Sequence, residues 1–176
     1  IERMKEAIDE GRIGAVEQVR SFRQGSFHGD GPAPPPEQER PGENLAFLYD
    51  STMHEVAVLN HLANKAPLEV EVEEVYASVA RPEILAKIDY GEEIVGHLEY
   101  RGDPSLTDVF SFSAKGELGT IRFEATSEET TCVLELGDTT ESLPLQVERP
   151  SHPIDAVIDH FMKITEGLDP AETLLH

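Results

Sequence analysis

The spacing of apolar residues changes period at Pro67, and this change bounds the fold more tightly than any other feature of the chain. Before it, Leu45, Leu48, Met53, Val56, Leu59 and Ala63 recur at helical spacing, so Leu45–Asn64 is expected to form an amphipathic helix closed by Asn64 and Pro67. After it, Leu68, Val70 and Val72 alternate with Glu69, Glu71 and Glu73. The alternation slips phase and resumes at Val75, Ala77 and Val79, which predicts a β-bulge. Period-two runs follow at Ile94–Tyr100, Phe110–Ala114, Ile121–Ala125, Cys132–Leu136 and Leu143–Val147. Gly102-Asp103-Pro104, Lys115-Gly116 and Gly137-Asp138 mark turns between them. Each predicted strand is apolar on one face, the pattern of an antiparallel sheet covered on one side.

The flanks supply the covering layer. Residues 2–10 read as a helix in which Met4, Ala7 and Ile8 share a face, with Gly11 as its terminating residue. Ala15–Phe27 reads as a strand. Residues 25–44, with Gly25, Gly29, Gly31, Pro32 and Pro34-Pro35-Pro36, read as a long loop. Near the end, Ile154, Val157, Ile158, Phe161 and Ile164 outline a second amphipathic helix between Pro153 and Gly167. A run of strands flanked by helices defines an α+β fold, a two-layer domain with a largely antiparallel open-faced sheet. Residues 1–176 are expected to form a single domain. Because the chain opens at Ile1 inside a helical pattern, further residues are expected upstream.

Charge narrows the partners. Lys and Arg number 14 against 35 Asp and Glu, a net charge of −21. Phosphate backbones and anionic membranes need a basic face, so neither nucleic acid nor a membrane surface is expected as a partner. The longest apolar run, Leu45–Tyr49, is far short of the roughly 20 residues that span a bilayer. A cytoplasmic location is expected. The acidity suits either a salt-rich cytoplasm or an ordinary acidic protein. The lone Cys132 excludes an internal disulfide and reads as a strand residue.

Few residues combine into chemistry. Neither G-x-x-x-x-G-K-[ST] nor G-x-G-x-x-G occurs, so no nucleotide cradle is expected on this chain. His54-Glu55 does not begin a zinc-protease motif, because Val58 stands where the second histidine is required. His54 and His61 lie about 10 Å apart by helical rise and are poor co-ligands, so no metal is expected. Asp50 and His54 are one turn apart and point away from the apolar stripe. A carboxylate there can orient an imidazole and stabilise its protonated form, as a general acid–base histidine requires. Equally, Asp50 could cap the helix, or Thr52 and Glu55 could form a capping box that starts it later. His61 projects the same way as His54. Arg23, at the mouth of the long loop, could meet an anionic or hydroxylated ligand, or pair with one of the many glutamates. His28, His97, His152, His160 and His176 read as surface or packing residues.

Four segments, in order, carry a family resemblance. "MKEAIDEGRIGAVEQVRSFRQ" resembles the segment following the nucleotide domain of the Gfo/Idh/MocA oxidoreductases (glucose–fructose oxidoreductase, inositol dehydrogenase and relatives). "GENLAFLYDSTMHEVAVLNHLAN" resembles their glycine-led helix with its Asp-x-x-x-His signature, placing the Asp on Asp50 and the His on His54. "FSAKGELGTIRFEAT" and "HPIDAVIDHFMKITEGLDP" resemble the later strand pair and closing helix. The chain departs from the signature at Gly42-Glu43-Asn44, Thr52 and Ala57, which leaves the substrate class open.

The resemblance implies a fold like the C-terminal domain of glyceraldehyde-3-phosphate dehydrogenase. It implies a substrate-binding domain whose complete protein oxidises a hydroxyl on a sugar, cyclitol or related polyol. His54 would move the proton and Asp50 would sit beside it, with Arg23 and His61 as candidate substrate contacts. NAD or NADP would be bound by a dinucleotide-binding domain outside this chain, so the chain alone would have no dehydrogenase activity. A homodimer or homotetramer through the sheet's open face would account for apolar residues such as Val95 and Val109. The contrasting expectation is a non-catalytic binding or assembly module of the same fold.

Overall fold

The computed structural model describes residues 1–25, 41–77, 82–103 and 105–145, with the backbone alone for 41–51, 74, 76, 77 and 82. The predicted loop 25–44 beyond Gly25 and before Pro41, the helix at 154–164, and His28, His152, His160 and His176 lie outside the described residues. The chain divides into two units, Ile1–Pro144 and Leu145–His176, and every element below belongs to the first.

Helix α1 (Glu2–Asp9) buries Met4 and Ala7. It stops in a Schellman motif: Gly11 N–H donates to Ile8 O at 2.9 Å and Arg12 N–H to Ala7 O at 3.0 Å. Gly11 adopts φ +71°, as its expected terminating role requires. Strand β1 (Val16–Gly25) follows, and then helix α2 (Pro41–Ala63). This helix starts four residues before the predicted Leu45, because Pro41 is tolerated at a helix's first turn. Asn64 ends it at φ +55°, with Asn64 N–H on His61 O and Lys65 N–H on Asn60 O, both at 3.3 Å.

The remaining strands are β2 (Glu69–Ala77), β3 (Pro82–Asp89), β4 (Val95–Gly102), β5 (Val109–Gly116), β6 (Thr120–Thr126), β7 (Thr130–Leu136) and β8 (Thr139–Ser142). Together with β1 they form, among the described residues, one eight-stranded sheet in the order β2-β3-β4-β1-β5-β6-β7-β8. All neighbours are antiparallel except β1 and β4, which run parallel with Val19 opposite Gly96 and Arg23 opposite Tyr100. The α2 crossover and the β2–β3–β4 meander bring β4 back beside β1 in the same direction, so the sheet is largely antiparallel. The predicted bulge is present, as a register shift between Val72 and Glu74.

Alternation sets the two faces. Val19, Ser21, Ala86, Ile88, Leu98, Phe112, Ala114, Ile121, Cys132 and Leu134 are buried on one face, with Met4, Ile13, Leu59 and Leu62 closing over them. Each fully buried Val, Leu, Ile, Phe or Met among them is worth roughly 1.5–3 kcal/mol relative to exposure. Burial pushes the Cys132 thiol pKa up, consistent with a packing role. The opposite face bears Arg20, Glu99, Arg101, Arg122 and Glu135, with Arg20–Glu99 at 2.6 Å and Arg122–Glu135 at 3.0 Å.

Three expectations are corrected. The apolar stripe of α2 is rotated: Met53 is 62% exposed, whereas Thr52 and Glu55 are buried beside the Leu59 and Leu62 face. Thr52 and Glu55 are therefore mid-helix residues facing the sheet, and they form no capping box that starts the helix later. Strand β3 was not marked by the sequence, although Ile84, Ala86 and Ile88 alternate on its covered face. Finally, the last described strand is Thr139–Ser142, which pairs with β7 across the Gly137-Asp138 turn, and Leu143 lies just beyond it. The tight turn positioned β8 earlier than hydrophobicity suggested.

Candidate functional site

Ser21, Arg23 and Gly25 follow Val19 on the covered face of β1, so the last turn of alternation brings a cation to the end of the central strand. Arg23 stands opposite Tyr100 on β4 and Phe110 on β5. Its guanidinium carbon lies 5.7 Å from each ring centroid. Such flanking attracts the cation through the ring quadrupoles and limits its rotamers. Phe110 is braced in turn by an edge-on contact with Phe112 at 4.8 Å.

The partner of Arg23 comes from α2. Arg23 Nη1–H donates to Glu55 Oε1 at 3.1 Å. The glutamate side chain is only 2% exposed, while that of Arg23 is 43% exposed. A buried carboxylate is costly unless paired, and this bond supplies the pairing. Glu55 Oε2 has no hydrogen-bond partner among the described residues, and neither do Ser21 Oγ and His61 Nε2.

Arg23 also lines a cleft of about 470 Å³ at this end of the sheet, with Tyr100, Asp108, Phe110, Thr126 and Ser127. The cleft mixes aromatic faces, hydroxyls and both signs of charge. Burial pushes the Tyr100 phenol pKa well up; the Arg23 charge opposes the shift and the Glu55 charge adds to it. Gly25 is indispensable to this corner. It has φ +128°, and a Cβ there would sit 1.9 Å from Asp108 Oδ1 and 2.8 Å from Asp108 Cα.

His54 is exposed on α2, next in sequence to Glu55. Asp50 lies one turn earlier in the same uninterrupted helix, and its side chain is outside the described part of the structure. His61 is half-buried in the last turn of α2 and does not line the cleft. Its neighbour Asn60 accepts a 2.9 Å hydrogen bond from the Tyr90 hydroxyl. The structure thus joins Arg23 to the residue next to His54 in sequence, and neither His54 nor His61 is among the residues lining the cleft.

Glu55, Tyr100, Asp108 and Phe110 were not among the candidate site residues in the sequence. For Glu55 a signal existed: it is charged, yet lies three residues before Val58 and four before the buried Leu59 on a predicted amphipathic helix. The others come together only through strand register, which no local pattern encodes. Among the described residues, no three His, Cys, Asp or Glu side chains converge as a metal site. No helix among them is long and apolar enough to cross a membrane.

The GFO/IDH/MocA C-terminal domain family matches residues 1–132, and the chain belongs to that family. No functionally curated protein matches it in sequence. Solved structures share the fold at low identity. The aldose-aldose oxidoreductase from Caulobacter crescentus, complexed with glycerol, superposes with a TM-score of 0.66 at 18% identity, over 96% of this chain and 51% of its own. The WlbA dehydrogenase from Bordetella pertussis, in complex with NADH and UDP-GlcNAcA, gives 0.63 at 12% identity, over 96% and 50%. A 3-ketoreductase from Actinomadura kijaniata, in complex with TDP-benzene and NADP, gives 0.59 at 13% identity, over 97% and 51%. The chain therefore spans about half the length of the structures it resembles.

Proposed function

We propose that this chain is the substrate-binding domain of an NAD(P)-dependent oxidoreductase that acts on a hydroxyl of a sugar, cyclitol or related polyol. The observation that carries the reading is the placement of an exposed His54 beside Glu55, whose carboxylate holds Arg23 at the mouth of the cleft. Family membership supports the reaction class, and similar structures hold glycerol or a nucleotide sugar.

In this account His54 accepts the proton from the substrate hydroxyl during oxidation and returns it during reduction. Exposure suits that role, since the imidazole must meet both substrate and solvent. Asp50, one turn before it, orients the ring. Phe110, which is only part-buried, offers a ring face to the C–H side of a sugar and Ser127 a hydroxyl to its polar edge, while the buried Tyr100 backs Arg23 from behind. Nicotinamide, when bound, takes the hydride. The described residues do not fit a dinucleotide: the sheet is almost wholly antiparallel and G-x-G-x-x-G is absent from the sequence. The cofactor is accordingly assigned to a separate domain of the complete protein, and no step here is routed through it.

The open sheet face is assigned to self-association into a dimer or tetramer. Phe22, Val95 and Val109 are half-buried among the ion pairs of that face, the mixture of apolar and charged groups that subunit interfaces use.

The test is turnover by the complete protein with NAD or NADP against a panel of aldoses, cyclitols and linear polyols. Nicotinamide reduction dependent on at least one such compound is expected. Saturable binding of these compounds without any nicotinamide reduction would instead favour a binding module.

A further inference from the structure

The Arg23–Glu55 pair decides what charge the cleft presents. A guanidinium lining a cleft is ordinarily an anion receptor, because its planar fork matches carboxylate and phosphate. Here it is joined to a carboxylate buried behind it, on the sheet-facing side of α2 between Thr52 and Leu59. An apolar residue would pack at that position without a desolvation cost. Arg23 is the hydrogen-bond partner that explains a carboxylate there. Asp108 brings a second carboxylate to the lining, held close by the absence of a side chain at Gly25. The lining thus holds one guanidinium, already bonded to the Glu55 carboxylate, and one further acid, Asp108, among otherwise uncharged residues.

We propose that Glu55 is a specificity-determining residue of this cleft: by compensating the charge of Arg23 it admits neutral polyhydroxy compounds and disfavours their carboxylate and phosphate derivatives. The proposal rests on the sugar and polyol reading given above. It assigns Glu55 no contact with the reacting atoms; the residue acts through Arg23.

The test compares matched ligands in the complete protein by titration calorimetry: glucose with glucuronate, and myo-inositol with inositol 1-phosphate. The wild type is expected to bind the neutral member of a pair at least about tenfold more tightly. E55Q keeps the side-chain shape and releases the arginine's charge, so the preference should shift toward the anion by at least about tenfold, a change of about 1.4 kcal/mol. A correctly folded E55Q with the wild-type ratio would overturn the proposal, as would a wild type that prefers the anion. Should E55Q fail to fold, R23Q carries the test. Loss of the guanidinium should move the ratio at least about threefold further from the anion, and an unchanged ratio would again overturn the proposal. If the wild type binds no member of either pair, the sugar reading itself falls and this inference with it.

Discussion

Arg23 on the central strand and Glu55 on the covering helix are joined by a 3.1 Å hydrogen bond that links the sheet to the helix carrying His54. The bond crosses from a half-exposed cation to a buried anion. It therefore holds two layers of the domain in register at the position where the cleft opens.

R23A leaves the Glu55 carboxylate buried without its partner. Because Arg23 is 43% exposed, solvent can partly replace it, and the expected loss is about 1–3 kcal/mol rather than the full cost of an orphaned buried charge. R23M/E55L replaces both partners with apolar groups and should lie within about 1 kcal/mol of the wild type. Urea denaturation distinguishes the two variants. Equal destabilisation of both would show that the pair's charges are not what Glu55 needs from Arg23.

Alkaline stability should depend on Tyr90. Its phenol is buried against Asn60, and burial pushes its pKa from 10.0 up to about 12. The folded state keeps the proton that the unfolded chain releases above pH 10, so this contribution is intact below about pH 10 and is lost as pH rises toward about 12. Y90F should cost about 1 kcal/mol at neutral pH through the lost hydrogen bond, and should flatten the stability profile above pH 10. Parallel profiles for the two proteins would rule the mechanism out.

G25A should both destabilise the domain and disturb the cleft. The added Cβ would fall 2.8 Å from the Asp108 backbone, and φ +128° disfavours any L side chain. The expected cost is about 1–3 kcal/mol. Thermal unfolding reports it, and an unchanged midpoint would mean that the chain relaxes at this corner.

The edge strand β2 exposes Val70, Val72 and Val75, alternating with Glu69, Glu71 and Glu73. Charged side chains on an edge strand discourage pairing with another chain. E71T/E73T should raise concentration-dependent association, measured by light scattering, while the wild type should associate this way only at high salt. Indifference to both charge removal and salt would assign the protection to another feature.

Much of this architecture was legible because burial imposes period. The β2 bulge and the covered faces of β4 to β7 follow from where apolar side chains recur, and the helix stops at Gly11 and Asn64 from residues that accept a positive φ. The reading failed where burial and hydrophobicity part company. Met53 is apolar but exposed, and Glu55 is charged but buried, so the stripe of α2 was read with the wrong rotation. The correct face is the one that buries Leu59 and Leu62, and a carboxylate is accommodated on it because Glu55 is bonded by a tertiary partner, Arg23, that no helical period contains. The cleft follows the same rule. Arg23 was legible as a candidate, but Tyr100 and Phe110 reach it only through the parallel β1–β4 and antiparallel β1–β5 registers.

The most direct test of the account is the pH profile of turnover for wild type, H54N and H54A in the complete protein. If His54 moves the proton, both variants should lose roughly 10²–10⁴-fold in kcat with substrate binding and folding intact, and the limb of the profile set by an imidazole should disappear. Wild-type turnover and an unchanged profile in a folded H54N would contradict the account at its centre.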